Sequence, residues 1–205
     1  IEGPADRKSM QILAEIMKLR RACCNPNLVA PTLRLESSKL AAFARLLEGL
    51  LENRHKVLVF SQFVDHLALI RAHLERNGIA YQYLDGSTTM AARKQAVDAF
   101  QAGEGDVFLI SLKAGGVGIN LTAADYVIPM DPWWNPAVED QASDRAHRMG
   151  QLRPVTIYRL VARNTIEEGI VELHAHKREL ADSLLDGSDS AARMTAEDML
   201  AMLNQ

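Results

Sequence analysis

Apolar positions along the chain change their spacing several times, and each change marks an element. Met10, Leu13, Ile16, Met17 and Leu19 recur close to the helical period, and the Asn25-Pro26 step stops the run. A Pro-containing linker over residues 31–38 leads into a second helical pattern, residues 39–53, carried by Leu40, Phe43, Leu46, Leu47 and Leu50. The period then collapses. "KVLVF" (residues 56–60) is an unbroken branched apolar run, as expected of a strand covered on both faces. An amphipathic stretch over 64–76 ends at Asn77-Gly78, a helix stop. "AYQYL" (80–84), a helical stretch over 90–101, "DVFLI" (106–110) and "DYVIPM" (125–130) continue the alternation, and "VTIYRLV" (155–161) predicts a last strand. Strand and helix alternating at this rhythm predict a parallel sheet with right-handed crossovers.

Residues 165–185 predict a long helix opened by a capping box of Thr165 and Glu168. "DGSDSAA" (186–192) reads as a flexible linker, and 195–203 as a small final helix. The chain thus divides into a helical lead-in and linker (1–38), an α/β lobe (39–163) and a C-terminal helical extension (164–205).

Composition narrows the class. With 205 residues, 48% hydrophobic and 24% charged, the chain suits one α/β domain with appended helices. A net charge of −3 means that any phosphate contact must come from a local patch. The two cysteines are the vicinal Cys23 and Cys24, which fit a reducing, cytosolic setting and offer no spaced zinc set. The six histidines form no recognisable ligand set, so no metal site is expected. No apolar run approaches the roughly 20 residues that span a bilayer, and no signal peptide is visible. Because the first residue is Ile1 rather than Met, the chain reads as a piece of a longer protein.

In open parallel sheets, ligands bind beyond the carboxyl ends of the strands. Four segments follow strands here: Ser61-Gln62-Phe63, Asp85-Gly86-Ser87-Thr88, residues 111–120 and residues 131–135. All are rich in small or hydrogen-bonding residues, although strand ends need turn residues in any case. In "SLKAGGVGINL" (111–121), Gly115, Gly116 and Gly118 bring bare N–H groups close to whatever binds, and such a loop can hold an anion. It lacks the third glycine of a dinucleotide loop, and G-x-x-x-x-G-K-[ST] occurs nowhere.

"DPWWNPAVEDQASDRAHRMGQ" (131–151) predicts a helix capped by Asn135, with Pro136 at its first position and Gly150 closing it. At helical spacing, Gln141, Arg145 and Arg148 fall within about 60° of arc. Two readings stand on spacing alone. The arginines complement the helix dipole, or they sense an anion, as an arginine does in phosphoryl transfer. For Trp133 interior packing is the simpler reading, while Trp134 is open.

"KVLVFSQF", "YLDGST", "ISLKAGGVGINLTAADYVI", "DPWWNPAVEDQASDRAHRMGQ" and "VTIYRLVARNTIEE" resemble, in order and spacing, the C-terminal lobe of Swi/Snf-type ATPases of helicase superfamily two. "LRRACCNPNLV" (19–29) resembles the family segment before that lobe, departing from it with Cys-Cys-Asn-Pro where Cys-Asn-His-Pro is usual. The resemblance covers residues 19–184. It implies a RecA-like parallel sheet with helices on both faces, one of two lobes that clamp ATP while duplex DNA lies across both. By resemblance, Arg145 and Arg148 reach the γ-phosphate and Gln141 orders that site, with Gly118 and Asn120 near the nucleotide. Ser61, Gln62, Gly86, Ser87, Thr88, Ser111, Lys113 and Gly115 match positions that grip the DNA backbone, and Trp134 one that approaches the groove. Hydroxyls, glycine N–H groups and one lysine can hold phosphates without reading bases.

The resemblance further implies ATP and Mg2+ as cofactors of the whole motor, held mainly by an N-terminal RecA-like lobe outside this chain. Double-stranded DNA, that lobe and a DNA-bound protein complex are the implied partners. The expected location is the cytoplasm, at the nucleoid if the source is bacterial, or the nucleus if it is eukaryotic. The chain alone is expected to be inactive. A non-catalytic binding module on the same fold is the alternative, and a dinucleotide enzyme ranks last.

Overall fold

The computed structural model describes residues 4–114, 119–133, 135 and 154–185. In order they form α1 (Pro4–Cys24), two single 3-10 turns (Pro26–Leu28 and Pro31–Leu33), α2 (Ser38–Glu52), β1 (Val57–Ser61), α3 (Val64–Arg76), β2 (Tyr81–Leu84), α4 (Met90–Ala102), β3 (Val107–Ser111), β4 (Tyr126–Pro129), β5 (Thr156–Ile157) and α5 (Ile166–Leu185). The expected helix after Asn135 and the segments at 186–192 and 195–203 lie outside the described residues.

The five strands run parallel in the order β2-β3-β1-β4-β5. β1 and β3 are buried at every position, which is why their sequences are unbroken apolar runs rather than alternating ones. Alternate residues of β1 feed two cores. Val57 and Val59 join Phe43, Leu47 and Leu50 of α2 and Leu67, Ile70 and Leu74 of α3 on one face. Leu58 and Phe60 join Phe100 of α4 with Leu112, Ile119, Leu121 and Ala124 on the other. This is the layering expected from the sequence, with helices on both faces.

Local chemistry sets the helix ends. The Ser37 hydroxyl accepts the Leu40 N–H at 3.2 Å and starts α2, and Thr89 does the same for α4 with Ala92 at 3.3 Å. α4 stops at Gly103, whose φ of 98° favours glycine and whose N–H returns to the carbonyls of Ala99 and Phe100.

Three expectations shift. α1 is longer than the apolar spacing indicates, and Met10, Leu13, Met17 and Leu19 are exposed. Its buried positions are Ile16, Arg20 and Cys24, four residues apart, so the inward face includes a guanidinium. β5 shrinks to two residues from the seven expected, because the chain beyond it turns to cap α5. There, Ala162 N–H donates to the Glu167 carboxylate (2.8 Å), and Asn164 takes a left-handed φ of 57°. The Thr165 hydroxyl accepts the Glu167 N–H at 3.2 Å, while Glu168 accepts from Asn164 N–H at 2.8 Å rather than from Thr165 itself. The cap therefore differs by one residue from the reciprocal box the sequence suggests.

Candidate nucleic-acid and nucleotide interface

Parallel strands bring their carboxyl ends to one edge of the sheet, and the register sets Ser61 directly beside Ser111. Both serines are buried, at 0% and 1% exposure, so their hydroxyls turn to protein. Ser61 donates to the Asp131 carboxylate (2.5 Å) and accepts the Phe63 N–H (3.1 Å), and Ser111 accepts the Ala114 N–H (3.4 Å). Gln62 reaches the other Asp131 oxygen through its side-chain amide (2.5 Å) and its backbone N–H (3.3 Å). Burial pushes the fully enclosed Asp131 carboxyl up, while Ser61, Gln62 and Arg20 pull it down. These residues build the edge from beneath.

What the edge shows to solvent is different. Gly86, Ser87 and Lys113 are exposed there and Thr88 is half-buried; Asn120, further along the connection from β3 to β4, is exposed as well. Asp85 makes the Gly86-Ser87 turn rigid. It accepts the Ser87 N–H (2.8 Å), the Ser87 hydroxyl (2.6 Å) and the Tyr83 hydroxyl (2.9 Å), and these bonds, led by the Ser87 hydroxyl, hold its pKa below the usual carboxylate range. Arg93 of α4 donates to the Ala114 carbonyl at 2.6 Å and so ties the loop carrying Lys113 to that helix. Gly115, Gly118, Trp134, Gln141, Arg145 and Arg148 lie outside the described residues.

The chain leaving β4 is held by three helices through three carbonyls. Lys39 of α2 donates to Met130 O at 3.0 Å, Arg20 of α1 to Pro132 O at 2.8 Å, and the His174 ring of α5 to Trp133 O. Lys39 is itself paired with both Glu167 oxygens, at 2.6 and 2.5 Å. Burial lowers the Arg20 pKa, opposed chiefly by Asp131. None of Arg20, Lys39, Glu167 or His174 was a sequence candidate, and Asp131 entered only as the first residue of the segment after β4. Arg20 alone carried a signal, four residues after Ile16 on the same helical face.

A second group also escapes one-dimensional spacing. Cys24 of α1, His66 of α3 and Asp131 are all buried, with donor atoms within 4.8 Å of one another. Burial pushes the Cys24 thiol up and pulls His66 down to about 3, so the thiol and the imidazole are both neutral. A divalent ion there would have to strip the thiol of its proton and sit beside the Arg20 charge that already faces Asp131. The group is best described as a packed polar core. Nor do the carboxylates at the strand ends suit Mg2+: Asp131 is enclosed, and Asp85 is spent on its own turn.

A five-stranded parallel sheet with helices on both faces is the RecA-like architecture. Residues 38–150 match the model described as the helicase conserved C-terminal domain. An uncharacterized ATP-dependent helicase of Mycoplasma pneumoniae is 40% identical over 199 residues, covering 96% of this chain and 19% of that protein. The chromatin-remodeling ATPase INO80 of Neurospora crassa is 44% identical over 170 residues, covering 81% of this chain and 8% of that protein. Among solved structures, the SWI2/SNF2 ATPase core domain of Sulfolobus solfataricus aligns with TM-score 0.75 at 30% identity, over 98% of this chain and 42% of that one. The C-terminal part of the Fun30 ATPase domain aligns with TM-score 0.69, also at 30% identity, over 92% of this chain and 62% of that one. The chain belongs to the helicase conserved C-terminal domain family, in its Swi/Snf-type branch. It spans less than a fifth of these two curated relatives.

Proposed function

We propose that this chain is the second motor lobe of an ATP-dependent translocase on double-stranded DNA, which remodels DNA-bound protein. Arg145 and Arg148 supply positive charge to the γ-phosphate of ATP held on the first lobe, and Gln141 orders that site. Gly118 and Asn120 border the nucleotide. Gln62, Gly86, Ser87, Thr88, Lys113 and Gly115 follow the DNA backbone, Ser61 and Ser111 set the shape of that edge from beneath, and Trp134 faces the groove. The carrying observation is the common edge: the exposed Gly86-Ser87 turn and Lys113 each come two to three residues after neighbouring parallel strands, at their carboxyl ends. Backbone N–H groups, hydroxyls and one ammonium group suit phosphate contact without base readout.

When bound, ATP would supply the reactive phosphoryl group and Mg2+ would neutralise part of its charge. This lobe's own part is electrostatic. A guanidinium brought to the transferring phosphoryl stabilises charge as it develops, and withdrawal of the lobe removes that stabilisation. Neither Asp85 nor Asp131 offers a free carboxylate for Mg2+, so this reading assigns the metal's ligands to the first lobe.

The test compares ATP turnover by this chain alone with that of the whole protein, each with and without duplex DNA. The expected result is background turnover for the chain and DNA-stimulated turnover for the whole protein. Turnover by the isolated chain that survives removal of contaminants would overturn the division of labour.

A further inference from the structure

We infer that Arg93 is a positioning residue for Lys113, tying the two exposed turns of the strand-end edge into one unit for contact with the DNA backbone. The inference deepens the reading of that edge given above and rests on it. α4 turns Arg93, Ala96, Val97 and Phe100 inward at helical spacing, toward the core that also holds Leu112 and Ala114. Arg93 is the charged member of that face. Its neighbour Lys94 points outward instead and pairs with Asp98 at 2.5 Å. A guanidinium turned inward needs an acceptor, and Arg93 donates to Ala114 O at 2.6 Å, 21 residues further along the chain. Its Nε is enclosed as well, with no hydrogen-bond partner among the described residues.

Lys113 is exposed between two buried residues, Leu112 and Ala114, so its direction depends on how those two are held. β3 ends at Ser111, and sheet pairing stops short of Ala114. Leu112 N–H donates to Ser61 O at 3.0 Å, and Ala114 N–H to the Ser111 hydroxyl at 3.4 Å, which leaves the Ala114 carbonyl to Arg93. The other end of the tie is also fixed. Arg93 N–H donates to Thr89 O at 2.8 Å, and Thr89 directly follows the turn that Asp85 and Thr88 close with bonds of 3.2 and 3.0 Å. One guanidinium thus connects the turn after β2 with the turn after β3, strands that are neighbours in the sheet. Without it, the chain on the far side of Lys113 loses that anchor, and the ammonium group must be ordered at the moment of binding.

The experiment uses the whole protein and measures melting temperature, then duplex affinity at several salt concentrations where every variant is folded. Arg93→Met removes the donor and keeps bulk, Arg93→Lys keeps a cationic donor, and Lys113→Ala is made alone and together with Arg93→Met. Arg93→Met is expected to lower the slope of log affinity against log salt by up to about 1, the share of one phosphate contact. Arg93→Lys should recover most of that loss. The double variant should bind within about twofold of Lys113→Ala alone, because Arg93 acts through Lys113. Wild-type affinity and slope in folded Arg93→Met would overturn the inference, and so would losses that add in the double variant. If Arg93→Met does not fold, Ser111→Ala carries the test: it frees the Ala114 N–H, and wild-type binding by it overturns the inference. Lys113→Ala separates the two levels. If it binds as wild type does, the reading of the edge fails; if it loses affinity while Arg93→Met does not, only the positioning role fails.

Discussion

Lys39 and Glu167, 128 residues apart in sequence, meet with Nζ 2.6 and 2.5 Å from the two carboxylate oxygens, and both side chains are almost wholly enclosed. The pair joins the first turn of α2 to the first turn of α5. Breaking one side of such a pair leaves an uncompensated buried charge, at a cost of about 3–5 kcal/mol. Glu167→Gln is therefore expected to destabilise the fold by about that amount, while Lys39→Met with Glu167→Met recovers a large part of the loss. Urea denaturation of the single and double variants measures the coupling; additive losses would show that the pair does not act as a unit.

His66 gives the fold a pH dependence with a definite sign. Its ring is enclosed, neither ring nitrogen has a hydrogen-bond partner among the described residues, and its pKa is pushed from 6.5 down to about 3. Between those two values the unfolded chain binds a proton that the folded chain does not, so stability rises with pH there. The contribution is fully present above about 6.5 and is lost toward pH 3, at about 1.4 kcal/mol per unit. Asp131 and Glu167, raised by burial, act with the opposite sign. They are present in both proteins, so comparing wild type with His66→Met isolates the histidine. Denaturation at pH 7 and pH 5 should show a smaller acid loss in His66→Met.

Lys113 is exposed on the loop after β3 and carries the single ammonium group of the proposed backbone-gripping set. Lys113→Ala is expected to weaken duplex binding evenly across sequences and to reduce the slope of log affinity against log salt by about 1. Titrations at several salt concentrations read the slope directly. An unchanged slope would remove Lys113 from the interface.

Arg148→Ala in the whole protein is expected to lower DNA-stimulated ATP turnover by about 10³-fold or more, the scale of an arginine supplied to a phosphoryl transition state. DNA affinity should stay near wild type. Equal losses in both, measured by steady-state hydrolysis and equilibrium binding, would contradict the separate roles given to the two surfaces.

The sheet was legible because buried parallel strands leave a one-dimensional trace: "KVLVF" and "DVFLI" have no alternation to confuse with a half-exposed strand. β5 was overextended because "VTIYRLV" has the composition of a strand, whereas the capping bonds from Ala162 and Asn164 that draw the chain away are set by residues further along. The exposed members of the edge were visible as small and hydrogen-bonding residues after strands. The supports beneath were not. Lys39 reads in sequence as a solvated lysine at a helix start, and only the return of Glu167 from 128 residues away shows that it is enclosed. Arg20 shares the face of Ile16, but the apolar stripe of Met10, Leu13 and Met17, which faces outward, outweighed that signal.

The carbonyl contacts after β4 also bear on how such lobes can be recombined. A graft limited to residues 38–150 carries Lys39 and Asp131 into a new host but leaves behind Arg20, Glu167 and His174. The transplanted lysine then meets whatever the host places at the start of its own last helix. Chimeras between relatives should therefore exchange α1 and α5 together with the lobe, because the units that can be inherited intact are set by these long-range partners rather than by the edges of the sheet.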